Sequence, residues 1–146
     1  MTEPGCAILL VDDDPAFTAV MARSFSRRGF AVTSCDNADD AVRVAAEMQP
    51  SHILLDLNMP ETSGLVALPQ LLAAVPGAKL VVLTGYSSIA TAVEATKAGA
   101  TNYLCKPAGI DEILVAFEGS GEYIQFTGYT VDVYNLVDGN SGIVKL

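Results

Sequence analysis

Basic residues are scarce in this chain. Eight Lys and Arg stand against 17 Asp and Glu in 146 residues, a formal net charge of −9. Proteins that hold nucleic acid by its phosphates present a basic face, so the composition argues against a nucleic-acid partner. Cysteine is sparse too. Cys6, Cys35 and Cys105 lie far apart and form no C-x-x-C pair. That argues against a disulfide framework and a thiolate zinc site, and fits small apolar residues in a reducing compartment. No apolar run has the length of a bilayer span. The opening M-T-E-P-G-C lacks the basic start of a secretion signal. The expectation is a cytoplasmic protein with no membrane partner. The one histidine, His52, opens a buried stretch and reads as structural or edge-exposed, with no catalytic role.

Apolar residues make up 51% of the chain, enough for one domain with a sizeable core. They fall into short runs that stop abruptly at polar residues. Cys6 to Val11 stops at Asp12, His52 to Leu55 at Asp56, Lys79 to Leu83 at Thr84, and Thr101 to Cys105 at Lys106. With Phe30 to Cys35 these runs read as strands, most of them buried on both faces.

Between them the spacing turns helical. Asp14 is a candidate N-cap with Pro15 in the first turn, followed by Phe17, Val20, Met21 and Phe25 and ended by Gly29. Asp36 or Asn37 caps a second helix with the stripe Ala41, Val44, Ala45 and Met48. Leu65, Leu68, Leu71 and Leu72 mark a third, interrupted by Pro69. Either that helix starts near Leu68 or it kinks at the proline. Ser87 or Ser88 caps a fourth, with Ile89, Ala92, Val93 and Thr96 on one face. Gly109 to Phe117 is a short fifth, with Ile113, Leu114 and Phe117 inward.

Five strands alternating with five helices predict an α/β fold: a doubly wound parallel sheet in the order 2-1-3-4-5 with helices on both faces. The rhythm breaks at residue 118. Gly119-Ser120-Gly121 reads as a joint, and residues 122–146 alternate as a β-like extension with a turn at Asp138-Gly139-Asn140. That segment is either a native hairpin extension or an appended, fused piece.

In a parallel sheet the carboxyl ends of all strands face one edge, where ligands bind. Asp12, Asp13, Asp56, Thr84 and Lys106 converge there. Taken singly, each has a plain reading: helix-terminal charge, a turn cap, a strand-end hydroxyl, a solvated lysine. Together they make one site. Grouped carboxylates repel and ask for a hard, oxygen-seeking cation, for which Mg²⁺ is suited. A lysine and a hydroxyl beside a carboxylate nucleophile supply what phosphoryl transfer requires.

These residues resemble the receiver domain of bacterial two-component response regulators, the CheY-like family. The resemblance rests on V-D-D-D-P at Val11 to Pro15, D-L-N-M-P-E-T-S-G at Asp56 to Gly64, L-T-G at Leu83 to Gly85 and Y-L-C-K-P at Tyr103 to Pro107. It covers about Cys6 to Phe117, and the stretch Thr84 to Pro107 is most similar to regulators of the RegA/PrrA redox-response type. The resemblance implies that Asp56 is the phosphoacceptor for a sensor histidine kinase. It implies Mg²⁺ held by Asp12, Asp13, Asp56 and the backbone carbonyl of Asn58. Thr84 and Tyr103 would be the switch pair, and Lys106 would pair with Asp56 or its phosphate. Asn58 and Tyr86 would tune hydrolysis of the acyl phosphate. The output surface, for a partner, an output domain or a homodimer, would be the fourth helix, fifth strand and fifth helix. Such a domain catalyses only its own phosphorylation and dephosphorylation.

RegA-like regulators continue into a DNA-binding domain, which this acidic, β-like tail does not resemble. An Asp-nucleophile phosphatase of the haloacid-dehalogenase type would want a D-x-D loop, and Asp56-Leu57-Asn58 lacks the second Asp. A pseudo-receiver that binds partners without phosphorylation is the other alternative, and the intact set of five polar residues argues against it.

Overall fold

The computed structural model describes residues 6–57, 64–85, 89–118, 123–126, 129–132 and 143–145. Five parallel strands form one sheet: β1 (Ala7–Val11), β2 (Ala31–Cys35), β3 (His52–Leu55), β4 (Lys79–Thr84) and β5 (Asn102–Cys105). Their spatial order is β2-β1-β3-β4-β5. This is the order expected from the alternation, with each boundary within a residue or so of the sequence reading. The β-branched and leucine-rich runs of β1, β3 and β4 are buried almost throughout, as central strands covered on both faces must be. β2, at the edge, is mostly exposed or half-buried.

Five helices cover the sheet: α1 (Pro15–Arg27), α2 (Ala38–Met48), α3 (Gly64–Ala74), α4 (Ile89–Lys97) and α5 (Ile110–Glu118). They divide the core in two. On one face α1 and α5 set Met21, Phe25, Ile113 and Phe117 against Ile8, Leu10, Leu54 and Val81. On the other, α2, α3 and α4 pack Ala41, Ala45, Leu68, Leu71, Ala92 and Ala95 against the remaining strand side chains. Val20 lies off the α1 stripe and is 47% exposed, and Leu114 is half-buried. On α4 the buried pair is Ala92 and Ala95, with Val93 and Thr96 half-buried. The side chain of Ile89 and the cap candidates Ser87 and Ser88 lie outside the described residues.

The caps follow the chemistry read from the sequence. Asp14 accepts from the N–H groups of Ala16 and Phe17, and Asn37 accepts from Asp40 N–H. Gly29 and Gly99 take positive φ of 89° and 114° past the ends of α1 and α4. The third helix begins at Gly64 and runs through Pro69 to Ala74, which sets aside a start near Leu68. Pro69 lies inside the helix on an exposed position, clear of the packed face, where a proline is best tolerated.

Beyond α5 the chain forms a separate antiparallel sheet, β6 (Tyr123–Phe126), β7 (Tyr129–Asp132) and β8 (Ile143–Lys145). This bears out the β-like reading of the tail. The Gly119-Ser120-Gly121 joint and the turn at Asp138-Gly139-Asn140 lie outside the described residues. Among the described residues no helix is long and apolar enough to cross a membrane.

His52 is structural, as the sequence reading held. It sits at the amino end of β3, away from the polar strand ends. Its ring meets Phe30 and Phe117 edge to face at 5.2 and 4.9 Å, and Nδ1 lies 2.7 Å from Ser51 Oγ. Burial, then the nearby Lys79 charge, lower its pKa below the free value of 6.5. The fold therefore favours neutral imidazole, and the unfolded chain takes up the proton first as pH falls through 6.5. The stability tied to neutral His52 is present above that pH and lost below it. We predict that the single histidine resonance titrates below 6.5 by NMR. We also predict that His52→Phe shrinks the fall in melting temperature between about pH 8 and about pH 5.5 relative to the unaltered protein.

Candidate functional site

The polar strand ends meet at the carboxyl edge of the sheet. Three backbone bonds carry the ladder one residue past its strands: Asp12 N–H donates to Cys35 O (3.0 Å), Asp56 N–H to Val11 O (2.8 Å) and Lys106 N–H to Thr84 O (2.9 Å). Each functional residue thus leaves its strand from a fixed backbone.

The acidic triplet divides its labour. Asp12 is buried, with Oδ1 accepting from Asp14 N–H (2.9 Å) and Oδ2 accepting from Lys106 Nζ (2.7 Å). Asp13 is exposed, and Asp14 caps α1. Asp56 is buried, with Oδ2 3.8 Å from Lys106 Nζ. One carboxylate oxygen from each of Asp12, Asp13 and Asp56 lies within 4.8 Å of the others. At that separation each pair of negative charges costs about 3 kcal/mol at an effective dielectric near 20. One ammonium among three carboxylates leaves the excess charge to be balanced by a cation. The donor set, all oxygen, two buried and one open to water, fits a hard divalent ion that keeps part of its hydration. Burial is the largest cause that raises the Asp12 pKa, and the charge of Asp56 adds to it, while the Lys106 and Asp14 bonds pull it down.

Thr84 is fully buried at the end of β4. It lies opposite Cys105 in register, two pairs beyond Val82 and Tyr103. Side chains two apart on a strand share a face. Thr84 therefore points to the same side as Val82, which packs in one cluster with the fully buried Tyr103 and with Ala92 and Ala95 of α4. Asn58 and Tyr86, the other two residues singled out from the sequence, lie outside the described residues.

Beside the cluster a groove of about 750 Å³ opens between α1, the end of β2 and α2, lined by Asp12, Asp13, Thr18, Cys35, Asp36 and Arg43 among others. The Cys35 thiol on its wall is pushed up by burial and by Asp40, so it stays protonated and unreactive.

Two features of the site escape sequence reading. The Lys106 ammonium sits 4.4 Å above the ring of Phe17. Phe17 had an apolar role on the α1 stripe, and nothing local links positions 17 and 106. Gly64, first residue of α3, approaches the backbone of Asp56 and Leu57. A β-carbon there would lie 2.6 Å from Asp56 O and 2.7 Å from Leu57 Cα.

The family model described as "Response regulator receiver domain" matches residues 8–118. The chain belongs to this family. The acid tolerance regulatory protein ActR of Rhizobium meliloti is 39% identical over 123 residues, 84% of this chain and 63% of ActR. The photosynthetic apparatus regulatory protein RegA of Rhodobacter capsulatus is 40% identical over 116 residues, 80% of this chain and 63% of RegA. The receiver chain thus spans less than two thirds of these relatives. Among solved structures, a response regulator from Burkholderia pseudomallei with a phosphorylated aspartic acid, calcium ion and citrate superposes with a TM-score of 0.77 at 41% identity, covering 80% of this chain and 68% of that one. A CheY-like receiver domain protein from Methanospirillum hungatei gives a TM-score of 0.74 at 26% identity, covering 77% and 90%. The fold and family expected from the motifs are those observed, and the receiver's acidic pocket is a divalent-metal site.

Gly64→Ala tests the close approach. Backbone atoms at 2.6 and 2.7 Å must move to admit the methyl group. We expect a stability loss of about 2 kcal/mol by chemical denaturation, as for overpacked cores. We also expect weaker Mg²⁺ binding in an NMR titration, because the atoms displaced carry Asp56.

Proposed function

We propose that Asp56 is the phosphoacceptor of this receiver and that Mg²⁺ is the cation of its pocket. The carrying observation is Asp56 held in a three-carboxylate cluster with Lys106 Nζ 3.8 Å from its Oδ2. In the proposed reaction an Asp56 oxygen attacks the phosphorus of a phosphohistidine on a sensor histidine kinase. The P–N bond breaks as the P–O bond forms, and the released imidazole nitrogen keeps the electron pair and takes up a proton. Asp12, Asp13 and Asp56, with the backbone carbonyl of Asn58, would hold Mg²⁺, which when bound screens the charge of the incoming phosphoryl group. Lys106 offers an ammonium 3.8 Å from Asp56 Oδ2. Asp12 anchors that ammonium at 2.7 Å, so it needs little reorganisation to meet phosphate oxygen. Chemistry within the domain is limited to its own phosphorylation and dephosphorylation.

Phosphorylation adds about −1.5 to −2 charges and strong acceptor oxygens beside a buried hydroxyl. Thr84 bonds the phosphoryl group, and Tyr103, already buried on the same face of the sheet, fills the space behind it. The switch is read on the surface of α4, β5 and α5 by an output domain, a protein partner or a second receiver. The likeness to ActR and RegA supports a regulatory output of that kind. Residues 1–118 form the receiver unit in this reading, and residues 119–146 are an extension to it.

Intact-mass measurement after incubation with Mg²⁺ and acetyl phosphate tests the assignment. We expect a labile gain of one phosphoryl group that disappears without Mg²⁺ and in Asp56→Asn, a variant no less stable than the parent because a repelling charge is gone. Phosphorylation persisting in Asp56→Asn overturns it. Thr84→Ala should still be phosphorylated yet lose the spectral change at Tyr103 that accompanies modification.

A further inference from the structure

We infer that Phe17 is a positioning residue: the face of its ring holds the Lys106 ammonium in place over the phosphorylation site. This rests on the phosphoacceptor reading of Asp56. Lysine is a point charge on a flexible four-carbon stem, and its side chain has no shape of its own to fix it. Among the described residues, three groups lie around Nζ. Asp12 Oδ2 accepts a hydrogen bond at 2.7 Å, Asp56 Oδ2 lies at 3.8 Å, beyond hydrogen-bond length, and the Phe17 centroid lies at 4.4 Å. The distance to the ring is well inside the range at which the negative face of an aromatic attracts an ammonium. The Lys106 side chain is 21% exposed, so the attraction acts in a partly dried setting.

Phe17 is itself fixed. It is the third residue of α1, its own N–H donates to Asp14 Oδ1 at 3.2 Å, and its ring packs against the α1–α5 core. The acidic triplet therefore acts twice on one lysine: Asp12 bonds the ammonium directly, and Asp14 caps the turn that carries the ring beneath it. Without the ring, the ammonium would keep its bond to the fixed Asp12 carboxylate but could pivot about that bond toward the groove beside it. With the ring, it stays where it faces both Asp12 and Asp56. A phosphodonor then meets a cation already in position, so the benefit falls on capture of the donor.

Purified full-length protein with Phe17→Leu, which keeps apolar volume and removes the π face, separates this role from simple packing. Phe17→Tyr keeps the face. Saturation kinetics of Asp56 phosphorylation by acetyl phosphate with Mg²⁺ should show the half-saturating donor concentration rising about fivefold in Phe17→Leu. The maximal rate should change less, and Phe17→Tyr should restore the parent value. In a Lys106→Met background Phe17→Leu should have no further effect. The ε-methylene protons of Lys106, shielded by the ring, should move downfield in Phe17→Leu and not in Phe17→Tyr. If Phe17→Leu matches the parent in both kinetics and proton shift, or still impairs capture when Lys106 is Met, the inference is overturned. If the parent protein takes no phosphoryl group, the phosphoacceptor reading fails, and the Lys106 proton shift alone decides whether the ring holds the ammonium.

Discussion

Three carboxylates forced together at one edge of a sheet are the constraint from which the rest of this receiver follows. Parallel strands bring residues 12, 56, 84 and 106 to one place whatever their separation in sequence. The ladder bonds from Asp12, Asp56 and Lys106 to the neighbouring strands fix how near they come. At oxygen separations within 4.8 Å the repulsion is large on the scale of a domain's stability. The lysine relieves part of it, and it is spent on Asp12, to which it bonds at 2.7 Å against 3.8 Å for Asp56. Lys106 is thus nearer to Asp12 than to Asp56. The asymmetry suits the proposed roles, in which Asp56 attacks phosphorus and Asp12 anchors the lysine.

Because the charge is concentrated at a sheet edge, its change reaches both faces of the sheet, and the two faces are built differently. On the α1–α5 face the packing is bulky: Phe25, Ile113 and Phe117 are fully or nearly fully buried. On the α4 face the helix is anchored, among described side chains, by the methyl groups of Ala92 and Ala95. Burying a methyl contributes far less than burying a phenyl or branched aliphatic group. An element held by small contacts is the cheaper one to displace. Thr84 and Tyr103 face that side, whereas Lys106 and its aromatic support face α1. Lys106 is therefore held on the bulkier face, and α4 is the helix fastened to the sheet by the smaller contacts.

The sequence made the strand-end constellation legible because it is written in local signals: an apolar run, then a sudden polar residue, four times over. Fold and family followed from the same runs. The caps at Asp14 and Asn37 were legible for the same reason, since a cap acts on the next turn. What stayed hidden depends on distance in sequence or on backbone shape. Phe17 looked like one more residue of an apolar stripe, and its ring meets a lysine one residue past β5. Gly64 read as loop composition, although what demands glycine is the carbonyl of Asp56 a few ångströms away. Of the two readings of Pro69, the start near Leu68 fails and the helix through the proline stands: on an exposed position a proline does not have to mark a first turn.

Gly64 also shows why α3 and Asp56 cannot be considered apart. Gly64 N–H donates to Leu57 O at 3.2 Å, so the first residue of α3 is tied to the residue after Asp56. The buried face of α3, Ala67, Leu68 and Leu71, is in turn embedded in the same core as Tyr103 and Ala92. A shift of the Asp56 backbone on taking up a phosphoryl group would press on α3 through a contact with no slack, because a glycine is already the smallest residue. Close packing transmits such a shift and does not absorb it. Through Leu57 and Gly64, the end of β3 and the α4 side of the sheet therefore share one packed body.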